Sequence, residues 1–268
     1  MTNTDPPPAD FSLLDRSDIL AMMFYPRADR TPTPPGTDNL HVEVAPDVRV
    51  HARFYPVSPA LPTVLFFHGN GEVVADYDDI APIYHEFGMN LFVVDYRGYG
   101  RSTGSPSFTS MLADAHKLKD AFFTHLEAGG FNRGRYLMGR SLGALPAVEL
   151  AATAPDGFRG VILESGAAGV RGWSRFMRYA DDPGPWEALH AAQRARLAAV
   201  TLPFLSIHGA EDELIPVETA VEVRETVGST DGDLVIIAGA GHNDLLYVGL
   251  QQYFQALARF VSRLEGRS

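Results

Sequence analysis

Short runs of apolar residues recur along the chain from residue 63 onward, and polar or mixed segments separate them. Six such runs are TVLFFHG (63–69), NLFVVDY (90–96), RYLMG (135–139), GVILES (160–165), FLSIHG (204–209) and LVIIAG (234–239). Nearly unbroken apolar runs of this length are typical of strands that are buried on both faces of a sheet. The pattern therefore predicts six interior strands.

The segments around these runs predict one hairpin and several helices. HVEVA (41–45) and VRVHARFY (48–55) alternate apolar and polar residues about a Pro-Asp turn, which predicts an antiparallel hairpin at a sheet edge. Because strands and helices alternate afterwards, we expect an α/β fold with a mostly parallel sheet of about eight strands and helices on both faces. Such sheets bind ligands at the carboxyl ends of their strands. Helical apolar spacing occurs at 75–88, 110–128, 142–153, 217–227 and 245–265.

The organisation along the chain predicts one domain with an N-terminal extension and an insertion. Residues 1–39 carry proline-rich pieces on either side of the apolar segment ILAMMFYP, which we interpret as an extension with a short helix. Residues 40–268 form the main domain. The stretch between the runs at 160–165 and 204–209 is longer than one crossover helix needs, so we expect a small helical cap at about 167–199.

Composition narrows the classes of partner. The formal net charge of -11 disfavours nucleic acid, because that affinity comes largely from Lys and Arg neutralising phosphates. The absence of cysteine excludes disulfides, a thiol nucleophile and Cys-containing zinc sites. Neither a His-Glu-x-x-His pattern nor a phosphate-binding loop occurs, so we expect no metal and no cofactor. With no signal-like start and no apolar stretch of ~20 residues, we expect a cytoplasmic protein without an integral membrane segment.

Two serines match the pattern Gly-x-Ser-x-Gly, in GRSTG (100–104) and GRSLG (139–143). A nucleophilic serine of this kind lies between the end of a buried strand and the start of a helix, where free N–H groups face the developing oxyanion. Ser141 has this context, because RYLM precedes it and LGALPAVELAA follows. Ser102 is separated from its strand by a loop and is followed by Gly104 and Pro106, which predicts a loop residue bonded to nearby backbone.

A nucleophilic serine needs a base and an acid that orients the base. Of the nine histidines, only His242 in AGAGHNDLL lies in a loop just beyond the last buried strand. For the acid, HGAEDELIP places carboxylates at the same sheet edge, and Asp212 is our choice among them. Glu164, at the end of the neighbouring strand, is the reserve candidate. Asn243 or Asp244 is also expected to act as a helix N-cap.

These blocks, HGNGE, DYRGYGRSTG, GRSLGA, HGAEDELIP and GAGHNDL, make the chain resemble serine hydrolases of the α/β-hydrolase fold over roughly residues 40–265. The branch includes acyl-protein thioesterases and many bacterial hydrolases, and the order Ser141, Asp212, His242 is that of the family. The resemblance implies an oxyanion hole formed by the backbone N–H groups of Asn70 and Leu142, with Gly71 as an alternative to Asn70. The chain lacks the N-terminal cysteine cluster of the thioesterases that act on lipidated membrane proteins.

The predicted function is hydrolysis of a small-molecule carboxylic ester or thioester through an acyl-enzyme on Ser141. An amidase or peptidase of the same fold is the alternative within enzymes, and a non-catalytic binding module is the alternative outside them. The aromatic and apolar residues of the expected cap could form an acyl pocket or could be ordinary helix-on-sheet packing. They are Trp173, Phe176, Met177, Tyr179 and Trp186.

Overall fold

An eight-stranded sheet runs through the part of the chain that the computed structural model describes, residues 9–166 and 182–266. The strands are β1 (Asp38–Ala45), β2 (Val48–Tyr55), β3 (Thr63–Phe67), β4 (Asn90–Val94), β5 (Arg135–Arg140), β6 (Gly160–Glu164), β7 (Phe204–Gly209) and β8 (Gly232–Ile237). Their order in the sheet is β1-β2-β4-β3-β5-β6-β7-β8, with β2 antiparallel to both of its neighbours and every other pair parallel. This confirms the predicted edge hairpin and the mostly parallel sheet.

Helices cover both faces of the sheet. The described α-helices are α1 (Ser17–Met23), α2 (Ala81–Glu86), α3 (Phe108–Ala128), α4 (Ala144–Thr153), α5 (Gly184–Ala199), α6 (Val217–Thr226) and α7 (Leu245–Glu265). Buried side chains of α1, α3, α4, α5 and α6 join one hydrophobic cluster, and those of α2 and α7 join the other.

The unbroken apolar runs follow from burial on both faces. Successive side chains of a strand point to opposite faces, so each face needs its own apolar set. In β3, Leu65 and Phe67 join the cluster under α3 and α4, whereas Val64 and Phe66 join the cluster under α2 and α7. The same alternation in β5 directs Tyr136 and Met138 toward α2 and α7. Arg140, two residues further along the strand, therefore lies on the same side of the sheet.

The prediction of a single helix at 75–88 is wrong. The structure divides this segment into a 3-10 helix, Val74–Tyr77, and the short helix α2. Pro82 has no backbone N–H to donate, so it would break the hydrogen bonding of one continuous helix. In the first turn of α2, N–H groups have no partner within the helix, so proline is tolerated there. The carboxyl end of β3 is therefore followed by a compact, irregular segment.

The N-terminal extension packs on the main domain. After α1, the chain pairs with the loop beyond β4, where Asp29 N–H donates to the Gly100 carbonyl and Gly100 N–H donates to the Arg27 carbonyl. The cap expected at 167–199 lies only partly within the described residues, and its described part, α5, packs against α4. The boundaries of the extension and of the cap stay predictions.

A buried carboxylate ties β2, β3 and β4 together at one end of the sheet. Asp95, which follows β4, is hydrogen-bonded by His51 Nδ1 at 3.0 Å, by His68 Nε2 at 3.3 Å and by Val74 N–H at 2.9 Å. Burial alone would raise the pKa of Asp95, but the hydrogen bonds outweigh it and lower the pKa to about 2. The ionised carboxylate is therefore favoured in the folded state.

We expect the stabilisation from Asp95 to depend on pH. A carboxyl with a folded pKa below its unfolded value of about 3.9 stabilises the fold above pH 4, and this contribution disappears as the pH falls toward 2. Asp95→Asn should therefore lower the free energy of unfolding at pH 7, and its difference from wild type should shrink by roughly 2 kcal/mol between pH 6 and pH 2. Chemical denaturation at several pH values measures this difference, with the exposed Asp156→Asn as control. A pH-independent difference would contradict the expectation.

Candidate active site

Ser141 lies on the sharp turn between β5 and α4. Its φ of 50° places a non-glycine residue in the left-handed region, which stores strain and is a known feature of a nucleophile elbow. A 3-10 helix, Ser141–Gly143, leads directly into α4. The opening turn is thus wound more tightly than the rest, and Pro146 lies in the first turn of α4, where its missing N–H leaves no helical bond unmade. The turn presents the serine at the carboxyl end of the strand.

Two glycines make this turn sterically possible. A Cβ on Gly139 would lie 2.2 Å from the Gly143 carbonyl oxygen, and one on Gly143 would lie 2.1 Å from the Phe67 carbonyl oxygen. Both separations are shorter than any side chain tolerates, so the elbow closes only with glycine at these positions. The second contact also packs the elbow against the end of β3, next to the loop that carries Asn70.

The three predicted triad residues form one hydrogen-bonded chain. His242 Nε2 lies 3.0 Å from Ser141 Oγ, and His242 Nδ1 lies 2.8 Å from Asp212 Oδ2. A carboxylate only accepts, so Nδ1 carries the proton and donates it to Asp212. Nε2 is then the lone-pair nitrogen that accepts from the Ser141 hydroxyl. This tautomer is the one a general base for the serine requires.

Asp212 accepts three hydrogen bonds. Its Oδ1 accepts the N–H groups of Leu214 at 3.0 Å and Ile215 at 2.7 Å, and its Oδ2 accepts from His242 Nδ1. His208 Nε2, which donates to the Ile215 carbonyl at 2.8 Å, also lies 3.3 Å from Oδ2. Burial raises the pKa of Asp212, but the polar contacts with His208, His242 and Ile215 outweigh burial and leave the pKa well below its usual range. The carboxylate is therefore ionised and fixed in direction.

Three other carboxylates lie near this edge of the sheet. Glu211 and Glu213, the neighbours of Asp212 in HGAEDELIP, are exposed. Glu164 is buried, but its oxygens accept from Arg140 Nε at 3.1 Å and from the Tyr253 hydroxyl at 2.7 Å. Burial raises the pKa of Glu164 despite the nearby guanidinium. None of the three makes a described hydrogen bond to the imidazole of His242.

The candidate oxyanion loop, 68–71, is anchored by residues from distant parts of the chain. The Asn70 side-chain oxygen accepts from the Tyr25 N–H at 3.0 Å and from the Tyr99 hydroxyl at 2.7 Å. The Gly71 carbonyl accepts from Arg27 Nε at 2.7 Å. The Asn70 side chain is thus turned into the protein.

The backbone donors of Asn70 and Leu142 are available for a ligand. Neither N–H donates to an acceptor within residues 9–166 and 182–266. Leu142 follows Ser141 in the first turn of the helix, where N–H groups have no partner within the helix. The choice between Asn70 and Gly71 as the donor from this loop stays a prediction.

Ser102 occupies the kind of position expected from sequence. Its Oγ accepts the N–H of His51 in β2 at 2.9 Å, and its own N–H donates to the Tyr99 carbonyl at 2.8 Å. The hydroxyl therefore bonds to backbone and is not aligned with an imidazole. Of the two Gly-x-Ser-x-Gly matches, only the second is joined to a histidine and a carboxylate.

The aromatic and apolar residues proposed for the acyl pocket belong to the expected cap. Trp173, Phe176, Met177 and Tyr179 lie outside the described residues. Trp186 lies in the first turn of α5, where it is buried within the hydrophobic cluster under α3 and α4. Its role, like that of the others, stays a prediction.

The sequence analysis missed two side chains that support the site. His208 contacts Asp212, and the spacing of four residues between them was the available signal. Arg140, the residue before Ser141, donates to Glu164 and to the loop of His242. No sequence pattern distinguishes this arginine from a solvated one.

Metal and membrane features are absent from the described ranges. In these two segments, no group of three or more His, Cys, Asp or Glu residues is arranged to hold a metal ion. Among the same residues, no helix has both the length and the apolar character needed to cross a bilayer.

A strand-to-helix turn bearing serine, at the carboxyl edge of a wound parallel sheet, defines the class of α/β hydrolases. Residues 58–182 match the family model described as Serine aminopeptidase, S33. Alpha/beta hydrolase domain-containing protein 17B of Xenopus tropicalis is 31% identical over 223 residues, which cover 80% of this chain and 72% of that protein. The chain belongs to the α/β-hydrolase family.

Solved structures share the fold. An esterase of Pyrococcus furiosus has a TM-score of 0.69 at 17% identity, covering 91% of this chain and 98% of that one. A monoacylglycerol lipase of Paleococcus ferrophilus has a TM-score of 0.62 at 19% identity, covering 80% of this chain and 99% of the other. At these identities the similarity establishes the architecture.

Proposed function

We propose that this protein is a serine hydrolase that cleaves a carboxylic ester or thioester through an acyl-enzyme on Ser141. The observation that carries the proposal is the continuous chain of hydrogen bonds from Ser141 Oγ through His242 to Asp212, at 3.0 and 2.8 Å. The strained turn that presents the serine and the free N–H groups beside it support the same chemistry.

In the first half of the reaction, Ser141 Oγ attacks the carbonyl carbon while His242 Nε2 takes the hydroxyl proton. The carbonyl oxygen becomes an oxyanion, which the N–H groups of Asn70 and Leu142 stabilise. The intermediate collapses, the bond to the leaving oxygen or sulfur breaks, and the imidazolium returns the proton to that atom. The acyl group remains on Ser141 as an ester.

In the second half, a water molecule attacks the acyl carbon. His242 takes a proton from the water, and the acid product leaves as the proton passes back to Ser141 Oγ. Asp212 keeps the proton on Nδ1 in both halves and stabilises the transient imidazolium. This cycle uses no cofactor and no metal, and the substrate is a small molecule rather than a nucleic acid. A cytoplasmic location stays a prediction.

An amidase or peptidase activity is the second candidate. It is favoured by the match to the family described as Serine aminopeptidase, S33. The esterase and the monoacylglycerol lipase among the structural neighbours favour esters. A binding module without catalysis is disfavoured, because such a protein has no need of a serine aligned with an imidazole and an ionised carboxylate.

Mass-spectrometric mapping of a fluorophosphonate adduct tests the proposal. We expect one adduct on wild-type protein, located on Ser141, because its hydroxyl lies 3.0 Å from the His242 imidazole that can take its proton. Initial rates on matched p-nitrophenyl esters, thioesters and anilides then separate the two candidate activities. Wild-type protein that forms no adduct, or forms it on Ser102, contradicts the proposal.

A further inference from the structure

We propose that Arg140 is a positioning residue that holds the loop of His242 and the oxyanion loop, 68–71, in one arrangement around Ser141. The inference rests on the proposed function, since it concerns the alignment of the same site. Arg140 ends β5 and immediately precedes Ser141, but its side chain follows the alternation of the strand toward α2 and α7. It therefore reaches the site from the face of the sheet opposite α4.

The guanidinium is bound to two loops and a strand at once. Nη2 donates to the His242 carbonyl at 3.1 Å and to Asn243 Oδ1 at 2.9 Å. Nε donates to Glu164 at 3.1 Å, and Nη1 donates to Glu72. Few side chains could do this, because only a planar fork presents donors in several fixed directions.

Glu72 extends this contact to the oxyanion loop. Its Oε1 accepts from Arg140, while its Oε2 accepts the Gly69 N–H at 2.9 Å and the Tyr77 hydroxyl at 2.7 Å. Gly69 is next to Asn70, the proposed donor of the oxyanion hole. A Cβ on Gly69 would lie 2.4 Å from Arg140 Nη1, so the loop lies directly against the guanidinium.

The two carboxylates around residue 140 require a positively charged side chain between them. Arg140 is largely buried and faces two carboxylates, Glu72 and Glu164, of which the second is also fixed by Tyr253. Attraction to these carboxylates outweighs burial and raises the pKa of Arg140 further. Without the guanidinium, two carboxylates would face each other across a buried space and move apart, carrying Gly69 with one of them.

A cavity of about 270 Å³ beside Arg140 allows a direct test by chemical rescue. Truncation of the side chain would enlarge it enough to admit a free guanidinium ion, which carries the same fork of donors. The cavity is lined by Glu72, Tyr77, Arg140, Glu164, Asn243 and Tyr253, among others.

The experiment compares Arg140→Ala and Arg140→Lys with wild type on a p-nitrophenyl ester. We expect kcat to fall by roughly 10- to 100-fold in both variants with KM changed less than about threefold, because misaligned groups slow the chemistry without removing substrate contacts. Guanidinium chloride at millimolar, non-denaturing concentration should raise kcat of Arg140→Ala at least about fivefold, and ammonium chloride should leave it unchanged. The matched control is Arg97→Ala, which removes a similar ion pair with Asp114 far from the described contacts of the site.

Glu72→Gln keeps the test decisive if Arg140→Ala does not fold. The variant retains an acceptor for Gly69 N–H but loses the ion pair, so it should show the same loss of kcat at unchanged KM. The inference is overturned if folded variants at both positions keep kcat within twofold of wild type, or if guanidinium rescues Arg97→Ala equally. Absence of hydrolysis and labelling in wild type would instead refute the proposed function.

Discussion

Ser141→Ala is expected to lower kcat/KM for a p-nitrophenyl ester by at least about 10⁴-fold and to abolish fluorophosphonate labelling. The reason is that Ser141 Oγ is the hydroxyl oxygen 3.0 Å from His242 Nε2, and its loss leaves the imidazole without the nucleophile that would form the acyl-enzyme. The fold should be retained, since the change removes one oxygen from a partly exposed side chain. Steady-state kinetics and thermal denaturation of the same preparation measure both effects.

Ser102→Ala is the matched control, because Ser102 lies in the same sequence pattern. Its hydroxyl accepts only a backbone N–H from β2, so the variant should lose some stability and keep its labelling and turnover per folded molecule. Activity of Ser141→Ala above about 1% of wild type, or loss of labelling in Ser102→Ala, would contradict the assignment of Ser141 as the nucleophile.

The fold and the Ser141 turn were predictable because their signals are local. Apolar runs of strand length indicated strands that are buried on both faces of the sheet. The sequence RYLM, followed by GRSLG and an apolar helix, indicated the turn at Ser141. The helix at 75–88 was predicted less well. Apolar spacing gave no sign that a proline in its centre would start a new, shorter helix at Ala81.

The supports of the site could not be predicted because they join residues remote in sequence. Tyr25 lies 45 residues from Asn70, and Arg140 lies 102 residues from the His242 carbonyl it contacts. The residues next to an arginine or a tyrosine in the sequence do not indicate which distant residue its side chain will contact. The N-terminal extension, interpreted from sequence as carrying a short helix on the domain, also donates the Tyr25 N–H to the Asn70 side chain of the candidate oxyanion loop.

Asp212→Asn is expected to lower kcat by about 10³- to 10⁴-fold with little change in KM. The Leu214 and Ile215 N–H groups require an acceptor at the Oδ1 position, so the amide oxygen should take that place. The amide NH₂ then faces His242 Nδ1 and moves the imidazole proton to Nε2, which can no longer accept from Ser141. Initial rates over a substrate series give kcat and KM separately.

Glu211→Gln and Glu213→Gln are the controls for this change, since they alter exposed carboxylates of the same loop and should keep kcat within about twofold. Glu164 is unable to replace Asp212, because Arg140 and Tyr253 already occupy its oxygens. The lowered pKa of Asp212 keeps it ionised through the mildly acidic range, so protonation of Asp212 should not limit wild-type activity there. If Asp212→Asn retained more than a tenth of wild-type kcat, the orienting acid would have to be sought elsewhere.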